Sequence, residues 1–269
     1  MEKGSMIGLV MVVIGVFVGA VLKGADPVAL FVNIPAILIV WIGSLGAVLI
    51  SSPFEDTQNV GKYVQKAIKP STDVSASETI AKIVVLTNRA RAEGLLALED
   101  EAKSIDEPFF KKGIELAVDG TDPEALKKTM MAEIAAMKER HKGGANWFTN
   151  AGVFAPTFGI IGAVFGLMAT MAHLDDPELI GHGISAAFVA TFWGVFLANA
   201  IYLPFANKLK RASADEVAHR MLIVEGVMAI QAGVSPRVVE ELLKSHVPPK
   251  EREAAAAAGG TATPDAAAA

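Results

Sequence analysis

The sequence predicts an all-α membrane protein with four transmembrane helices, arranged as two hairpins, and a large helical region outside the membrane. First, 52% of the 269 residues are hydrophobic and the mean hydropathy is +0.42, which is too apolar for an ordinary soluble domain. Second, four long runs carry no charged residue, at 6–22, 27–54, 143–172 and 183–207. Third, the intervening segments have the helix-start signals and apolar spacing of amphipathic helices.

The first two runs predict a membrane hairpin in residues 1–54, with spans at about 6–23 and 29–50. Each run is near the length of about 20 residues that a helix needs to cross the hydrocarbon core. The first run has the length of a signal peptide's apolar region, but a single Lys stands beside a Glu in its flank and a second apolar run follows closely. We therefore expect it to remain as a span.

Residues 55–145 are predicted to form a helical domain outside the membrane. The sequence SASE at 75–78 has the pattern of a capping box, and TDPE at 121–124 has the same pattern with a proline in the first turn of its helix. Gly143 and Gly144 are expected to interrupt that second helix.

The second hairpin is predicted at 146–209, with spans at about 147–172 and 183–205. Trp147 lies where an interfacial aromatic anchor is expected. Pro156 removes a helix hydrogen bond within the third span, and Thr157 is placed to bond to exposed backbone groups. Pro204 is expected to kink the fourth span.

Small residues form a stripe on each later span. They are Ala155, Gly159 and Ala163, with the pair Gly162 and Gly166, on the third and Ala190, Gly194 and Ala198 on the fourth. Such stripes allow two helix backbones to approach closely. Two interpretations remain open: packing within the helix bundle, or a slot that admits another helix or an ion.

Beyond the second hairpin, residues 210–249 are predicted to form an amphipathic helix and a shorter one. Residues 250–269 are rich in alanine and are expected to be disordered. Lys and Arg number 14 in residues 55–142 and 8 after residue 207, but the two short connectors between spans hold one and none. Because positive residues stay on the cytoplasmic side, both termini and the middle domain are predicted to be cytoplasmic.

Several classes of function are disfavoured by composition. The chain has no Cys, and its five His include no H-x-x-x-H pair, so we expect no metal site and no cofactor. A net charge of −5 does not predict the basic surface that nucleic-acid binding requires. Ser44 superficially resembles a hydrolase serine, but Ile42 stands where the G-x-S-x-G motif needs its first glycine. We expect no enzyme activity.

The four uncharged runs contain no Asp, Glu, Lys or Arg. Moving protons or cations across a membrane usually requires an ionisable group at membrane depth. If this chain takes part in ion transport, a partner must therefore supply the carboxylate.

The chain resembles the MotA/TolQ/ExbB family, and within it the flagellar stator type. The resemblance covers the chain to about residue 249 and is carried by the stretches NRARAEGLLALE (88–99), FAPTFGIIGAVFGLM (154–168), ATFWGVFLANAIYLPFANKL (190–209) and HRMLIVEGVMAIQAGVSPRVVEELL (219–243). Relatives of the TolQ and ExbB type have three spans, so the additional hairpin at the start favours the flagellar type.

The resemblance implies a stator subunit that couples ion flow to flagellar rotation in the bacterial inner membrane. It implies a single-span MotB-like partner that bears an essential Asp, and five copies of this chain around two partner helices. The family's functional residues fall on Pro156, Pro204 and Thr191 for the ion path. We add Thr157, Gly159 and Ala163 as contacts of the ion path or the partner helix.

The resemblance also implies a contact with the rotor protein FliG at Arg91 and Glu99. Eight residues apart, these two lie within about 80° of each other on a continuous helix, so one face can present both. Without the resemblance they would be interpreted as an ordinary solvated helix face.

The transported ion is predicted to be a proton. Sodium-driven relatives often carry Thr directly after the second Gly of the GIIG stretch, where this chain has Ala163. Thr157 and Thr191 leave a sodium-driven, PomA-like stator as an alternative. Two further alternatives are a TolQ/ExbB-type motor that energises an outer-membrane system and a passive scaffold.

Overall fold

A computed structural model describes residues 3–68 and 75–246, and this part of the chain is helical without strands. The predicted all-α fold is confirmed. The predicted tail at 250–269, and the end of the predicted segment 210–249, lie outside the described residues. The helices are α1 Lys3–Leu22, α2 Ala29–Val32, α3 Ile34–Ser51, α4 Phe54–Gln58, α5 Val60–Ile68, α6 Ala76–Glu93, a 3₁₀ turn Leu95–Ala97, α7 Leu98–Lys103, α8 Pro108–Val118, α9 Pro123–Met171, α10 Pro177–Phe196, a π-helix Leu197–Tyr202, α11 Leu203–Gln231 and α12 Pro236–Ser245.

Within residues 3–68 and 75–246, four helices are long and apolar enough to cross a membrane, as predicted. They are α1, α3, the later part of α9, and α10 with its π-helical continuation. The second span begins later than predicted. Asn33 separates it from the short helix α2 and caps it, because the Asn33 side chain accepts a hydrogen bond from the Ala36 amide at 3.2 Å.

The described residues form two compact units. The membrane unit comprises 3–68 and 140–212, and the helical unit comprises 75–139 and 213–246. Helices α4 and α5, which the sequence analysis placed in the cytoplasmic segment, group with the membrane unit. The domain boundaries drawn from the sequence stay a prediction.

The predicted interruption at Gly143 and Gly144 is wrong, because α9 runs unbroken from Pro123 to Met171. The glycines serve packing instead. A Cβ atom at Gly143 would lie 2.8 Å from the Asp56 carboxylate, and one at Gly144 would lie 2.9 Å from the Tyr63 ring. The Tyr63 hydroxyl donates to Asp56 at 3.1 Å, and burial together with this bond raises the pKa of Tyr63.

Trp147, which was predicted as an interfacial aromatic anchor, is a buried packing residue of the membrane unit. Its side chain is buried, its ring lies edge-on to Phe148, and its indole N–H donates to the Thr57 hydroxyl at 3.0 Å. It therefore ties α4 to α9 within the membrane unit.

The core of the membrane unit is rich in aromatic rings around Trp193. This ring meets Phe31 at 5.3 Å and Trp41 at 5.9 Å between ring centroids, both edge-on. The Trp193 indole N–H also donates to the Leu30 carbonyl at 2.8 Å. These contacts join α10 to α2 and α3.

The helical unit has a separate apolar core. Its fully buried side chains include Ile83, Leu98, Phe110, Ile114, Leu126, Ile223, Ile230 and Leu243. Both predicted helix starts are confirmed, since α6 follows Ser75 directly and α9 begins at Pro123. The capping chemistry differs, because the Ser75 side chain makes no cap bond, and Asp122 rather than Thr121 accepts the amides of Glu124 and Ala125.

Candidate functional site

Spans three and four pack through glycines that bring their backbones into contact. A Cβ atom at Gly194 would lie 2.6 Å from the Ala155 carbonyl oxygen and 3.1 Å from the Pro156 Cα. One at Gly166 would lie 2.8 Å from the Gly183 carbonyl oxygen. Because backbone atoms form this contact, side-chain movement cannot make room for a larger residue.

Gly159 takes part in this contact within the chain, and the contact with the ion path or a partner helix predicted for it stays a prediction. It is buried, and a Cβ atom there would lie 3.0 Å from the Ala190 carbonyl oxygen and 3.3 Å from the Gly194 Cα. Spans three and four are consecutive in the chain, and their small-residue faces pack against each other. Packing within the helix bundle therefore accounts for the burial of Gly159. Ala163, one turn further along the helix, is half-buried.

Pro156 stays inside the helix, and Thr157 bonds to the backbone as predicted. The Thr157 hydroxyl donates to the Phe154 carbonyl at 2.6 Å, and its side chain is exposed. Since its proton is committed to this bond, the hydroxyl oxygen presents its lone pairs outward.

Thr191 is exposed in a groove of about 600 Å³ between spans one and four. The groove is lined by Val12 and Val16 of span one and, on span four, by Phe188, Val195 and Asn199 beside Thr191. The Thr191 hydroxyl donates to the Ala187 carbonyl at 3.0 Å. Its oxygen, like that of Thr157, remains available to accept a hydrogen bond or to coordinate a cation, but neither hydroxyl releases a proton near neutral pH.

Pro204, at which a kink was predicted, is preceded by a π-helical turn that no sequence pattern predicted. The π-helix Leu197–Tyr202 ends just before Pro204, which is exposed, and the Leu203 amide donates to the Ala198 carbonyl five residues earlier. Proline has no N–H to donate to the preceding turn, and the wider turn accommodates this loss.

The prediction that Arg91 and Glu99 share one face of a continuous helix is wrong. Helix α6 ends at Glu93, Gly94 follows with a φ of 87°, and the 3₁₀ turn 95–97 leads to α7, whose first turn holds Glu99. A positive φ is readily adopted by glycine, so this residue terminates the helix. Both charged side chains are exposed, and neither forms an ion pair within the part of the chain that the structure describes.

Neighbouring charges at this turn are paired. Arg89 forms an ion pair with Glu101 of α7, which ties the two sides of the turn together, and a second one with Glu93 within α6. Lys103 donates to Asp100 at 2.9 Å and thereby lowers the pKa of that carboxyl. The cluster of charges is visible in the sequence, but its pairing depends on the turn at Gly94. Arg91 and Glu99 are the charged side chains of this turn that form no ion pair among the described residues.

Comparisons with known proteins agree with this architecture. Residues 101–221 match the MotA/TolQ/ExbB proton channel family. The chain is 41% identical over 252 residues to Motility protein A of Bacillus subtilis (strain 168), an alignment that covers 94% of this chain and 93% of the relative.

Solved structures with the same fold come from stator complexes. The flagellar MotAB stator complex of Bacillus subtilis gives a TM-score of 0.87 at 41% identity, over 94% of this chain and 99% of that chain. C. jejuni MotAB gives a TM-score of 0.87 at 31% identity, over 93% and 97% of the two chains.

Proposed function

This chain belongs to the MotA/TolQ/ExbB proton channel family and is a stator subunit of the bacterial flagellar motor, and from this premise we propose how its residues serve ion passage and torque. A single-span, MotB-like partner supplies the ion-binding Asp. The observation that carries this proposal is that the four uncharged runs contain no acidic or basic side chain. The solved relatives are themselves complexes of MotA with MotB.

The assembly is a ring of five copies around two partner helices in the bacterial inner membrane. The family resemblance supports this stoichiometry, and the two hairpins leave many apolar side chains exposed for lipid, neighbouring copies and partner helices. Both termini and the helical unit are cytoplasmic, because the Lys and Arg residues gather in the segments after spans two and four.

Ion passage proceeds through the partner's Asp beside Thr191, Thr157 and Pro156. An ion from the outer side neutralises the carboxylate and removes a desolvation penalty on the order of a few kcal/mol. The threonine oxygens stabilise the protonated carboxyl by accepting its hydrogen bond. The ring then steps around the partner pair, and release of the ion to the cytoplasm restores the charge.

The ion is a proton. Ala163 follows the second glycine of the GIIG stretch and has no hydroxyl with which to coordinate sodium. The alignment with a motility protein over 94% of the chain includes the first hairpin, which favours the flagellar stator over a TolQ/ExbB-type motor.

Torque passes to the rotor protein FliG at Arg91 and Glu99. Each side chain is exposed, so each charged contact is worth less than about 1 kcal/mol. Contacts of this strength steer association and allow repeated engagement rather than tight binding.

Reversing the charge at Arg91 or Glu99 is expected to reduce swimming speed. The double variant Arg91→Glu with Glu99→Arg is expected to recover part of it, because it restores the net charge of the contact surface that each single reversal changes. Arg237→Glu is the control, since Arg237 is an exposed arginine on α12 of the same unit. A double variant as slow as the worse single variant would contradict a shared rotor contact.

Co-purification tests the assembly. The tagged chain is expected to retain a single-span, Asp-bearing partner encoded in the same genome, and particle imaging is expected to count five copies around two partner helices. A partner with Asp→Asn is the matched control and should still assemble, because packing and not the charge holds it. Recovery of the chain without any such partner would overturn the proposal.

A further inference from the structure

One leucine of the helical unit is turned outward at the junction of α6 and α7. Leu96 is 75% exposed, whereas Leu98 is fully buried and Leu95 is half-buried. Of the three leucines in residues 95–98, Leu95 and Leu98 thus pack toward the core and Leu96 points away from it. Burial in a core therefore does not explain Leu96.

The turn that presents Leu96 is held in place on both sides. Gly94 adopts a φ of 87°, and the Ala97 amide donates to the Gly94 carbonyl at 3.2 Å. Arg89 pairs with Glu101 across the turn. A binding partner therefore meets a side chain that is already ordered, which reduces the entropy cost of association.

In the sequence this leucine stands between two exposed charges of opposite sign, neither of which forms an ion pair among the described residues. Arg91 precedes it in the last turn of α6, and Glu99 follows it in the first turn of α7. An apolar side chain between an arginine and a carboxylate matches the anatomy of a protein interface, where an apolar anchor is surrounded by polar residues. The complementary surface is an apolar depression flanked by one acidic and one basic group.

We propose that Leu96 is the apolar anchor of the rotor contact and inserts into an apolar depression of the rotor protein, while Arg91 and Glu99 steer the approach. This inference rests on the proposed function of the chain as the torque-transmitting stator subunit. The anchor supplies affinity that exposed ion pairs do not, because burial of an exposed leucine is favourable at any salt concentration.

The test measures the affinity of the purified rotor protein for the complete stator complex over a range of salt concentrations. Leu96→Ala is expected to weaken binding about tenfold without changing the salt dependence. Arg91→Ala is expected to reduce the salt dependence. Leu96→Met keeps the apolar volume and should bind like the wild type, and Leu96→Gln, which keeps the length but not the apolar character, should bind as weakly as Leu96→Ala.

Val85→Ala is the matched control, since Val85 is a 62% exposed apolar residue on α6 of the same unit. Its affinity should equal that of the wild type. Thermal unfolding of the Leu96 variants should match that of the wild type, because the side chain lies outside the core.

The outcomes separate two failures. If the wild-type complex does not bind the rotor protein at all, the proposed function fails at the rotor contact. If the wild type binds and both Leu96→Ala and Leu96→Gln bind equally well, the anchor is overturned while the proposed function stands. Loss of affinity in Val85→Ala to the same degree also overturns the anchor, because the effect then belongs to exposed apolar area in general.

Discussion

Liposomes that contain this chain alone are expected to carry no proton current above that of empty liposomes. The four uncharged runs hold no acidic or basic side chain. The hydroxyl protons of Thr157 and Thr191 are committed to backbone carbonyls at 2.6 and 3.0 Å. No group in the spans therefore binds and releases a proton near neutral pH. Addition of the Asp-bearing partner is expected to produce a current, recorded with an internal pH-sensitive dye under an imposed membrane potential.

Three variants place the current at the predicted path. Asp→Asn in the partner should abolish it without preventing assembly. Thr191→Val should reduce it about tenfold, the cost of losing one hydrogen bond to the ion-binding group, and Thr191→Ser should retain most of it. Equal currents in all Thr191 variants would point to a passive scaffold, and a current from the chain alone would contradict the need for a partner's carboxylate.

Current measurements on the same liposomes identify the transported ion. A pH gradient without sodium should drive the current, and a sodium gradient at fixed pH should not. Swimming speed independent of external sodium would agree. Dependence on sodium in both measurements would establish the PomA-like alternative and assign a coordinating role to the threonine oxygens.

Gly194→Val is expected to prevent correct packing of spans three and four. Its Cβ would lie 2.6 Å from the Ala155 carbonyl oxygen, and backbone atoms cannot rotate away. The two helices must separate, at a cost of about 1–3 kcal/mol or more. Thermal unfolding and the yield of assembled complex should both fall, and Gly194→Ala should fall less than Gly194→Val.

Glycines of the first two spans provide matched controls for this series. Apart from the backbone of its own helix, a Cβ atom at Gly15 or Gly46 would have no described residue within 4 Å. Gly15→Ala and Gly46→Ala should therefore unfold at the wild-type temperature. A Gly194→Ala variant as stable as these two would show that the backbone contact is less tight than the structure indicates.

The four spans were predictable because an uncharged run of membrane length is a property of composition. The points at which helices begin, end or continue were less predictable. By local helix propensity, Gly143 and Gly144 predict a break in the helix. The helix continues instead, and Asp56 and Tyr63 occupy the space beside the two glycines that larger side chains would fill. Tertiary packing overrides a weak local preference, and no local pattern announces it.

The structure contradicts the premise of one site prediction, a continuous helix from Arg91 to Glu99, and adds a contact within the chain to another. The small-residue stripes were correctly identified, but a stripe does not say which helix it meets, and Gly159 meets span four of the same chain. The common face for Arg91 and Glu99 assumed a continuous helix, although Gly94 stands between them in the sequence. This glycine was the available signal for a turn. The assignment of roles to Thr191, Pro156 and Pro204 depends on the assembled complex and stays a prediction.

The π-helical turn Leu197–Tyr202 sets the rotational phase of the fourth span. It holds one residue more than an α-helical turn, and one residue corresponds to about 100° around the helix axis. Removing this surplus residue would restore ordinary hydrogen bonding ahead of Pro204, yet it would also rotate the start of α11 by about 100° relative to Thr191, whose segment is held against span three at Gly159 and Gly194. The angle between the Thr191 side chain and the helix that follows thus depends on the number of residues in the π-helical turn. We therefore expect this span to tolerate substitutions better than single-residue insertions and deletions.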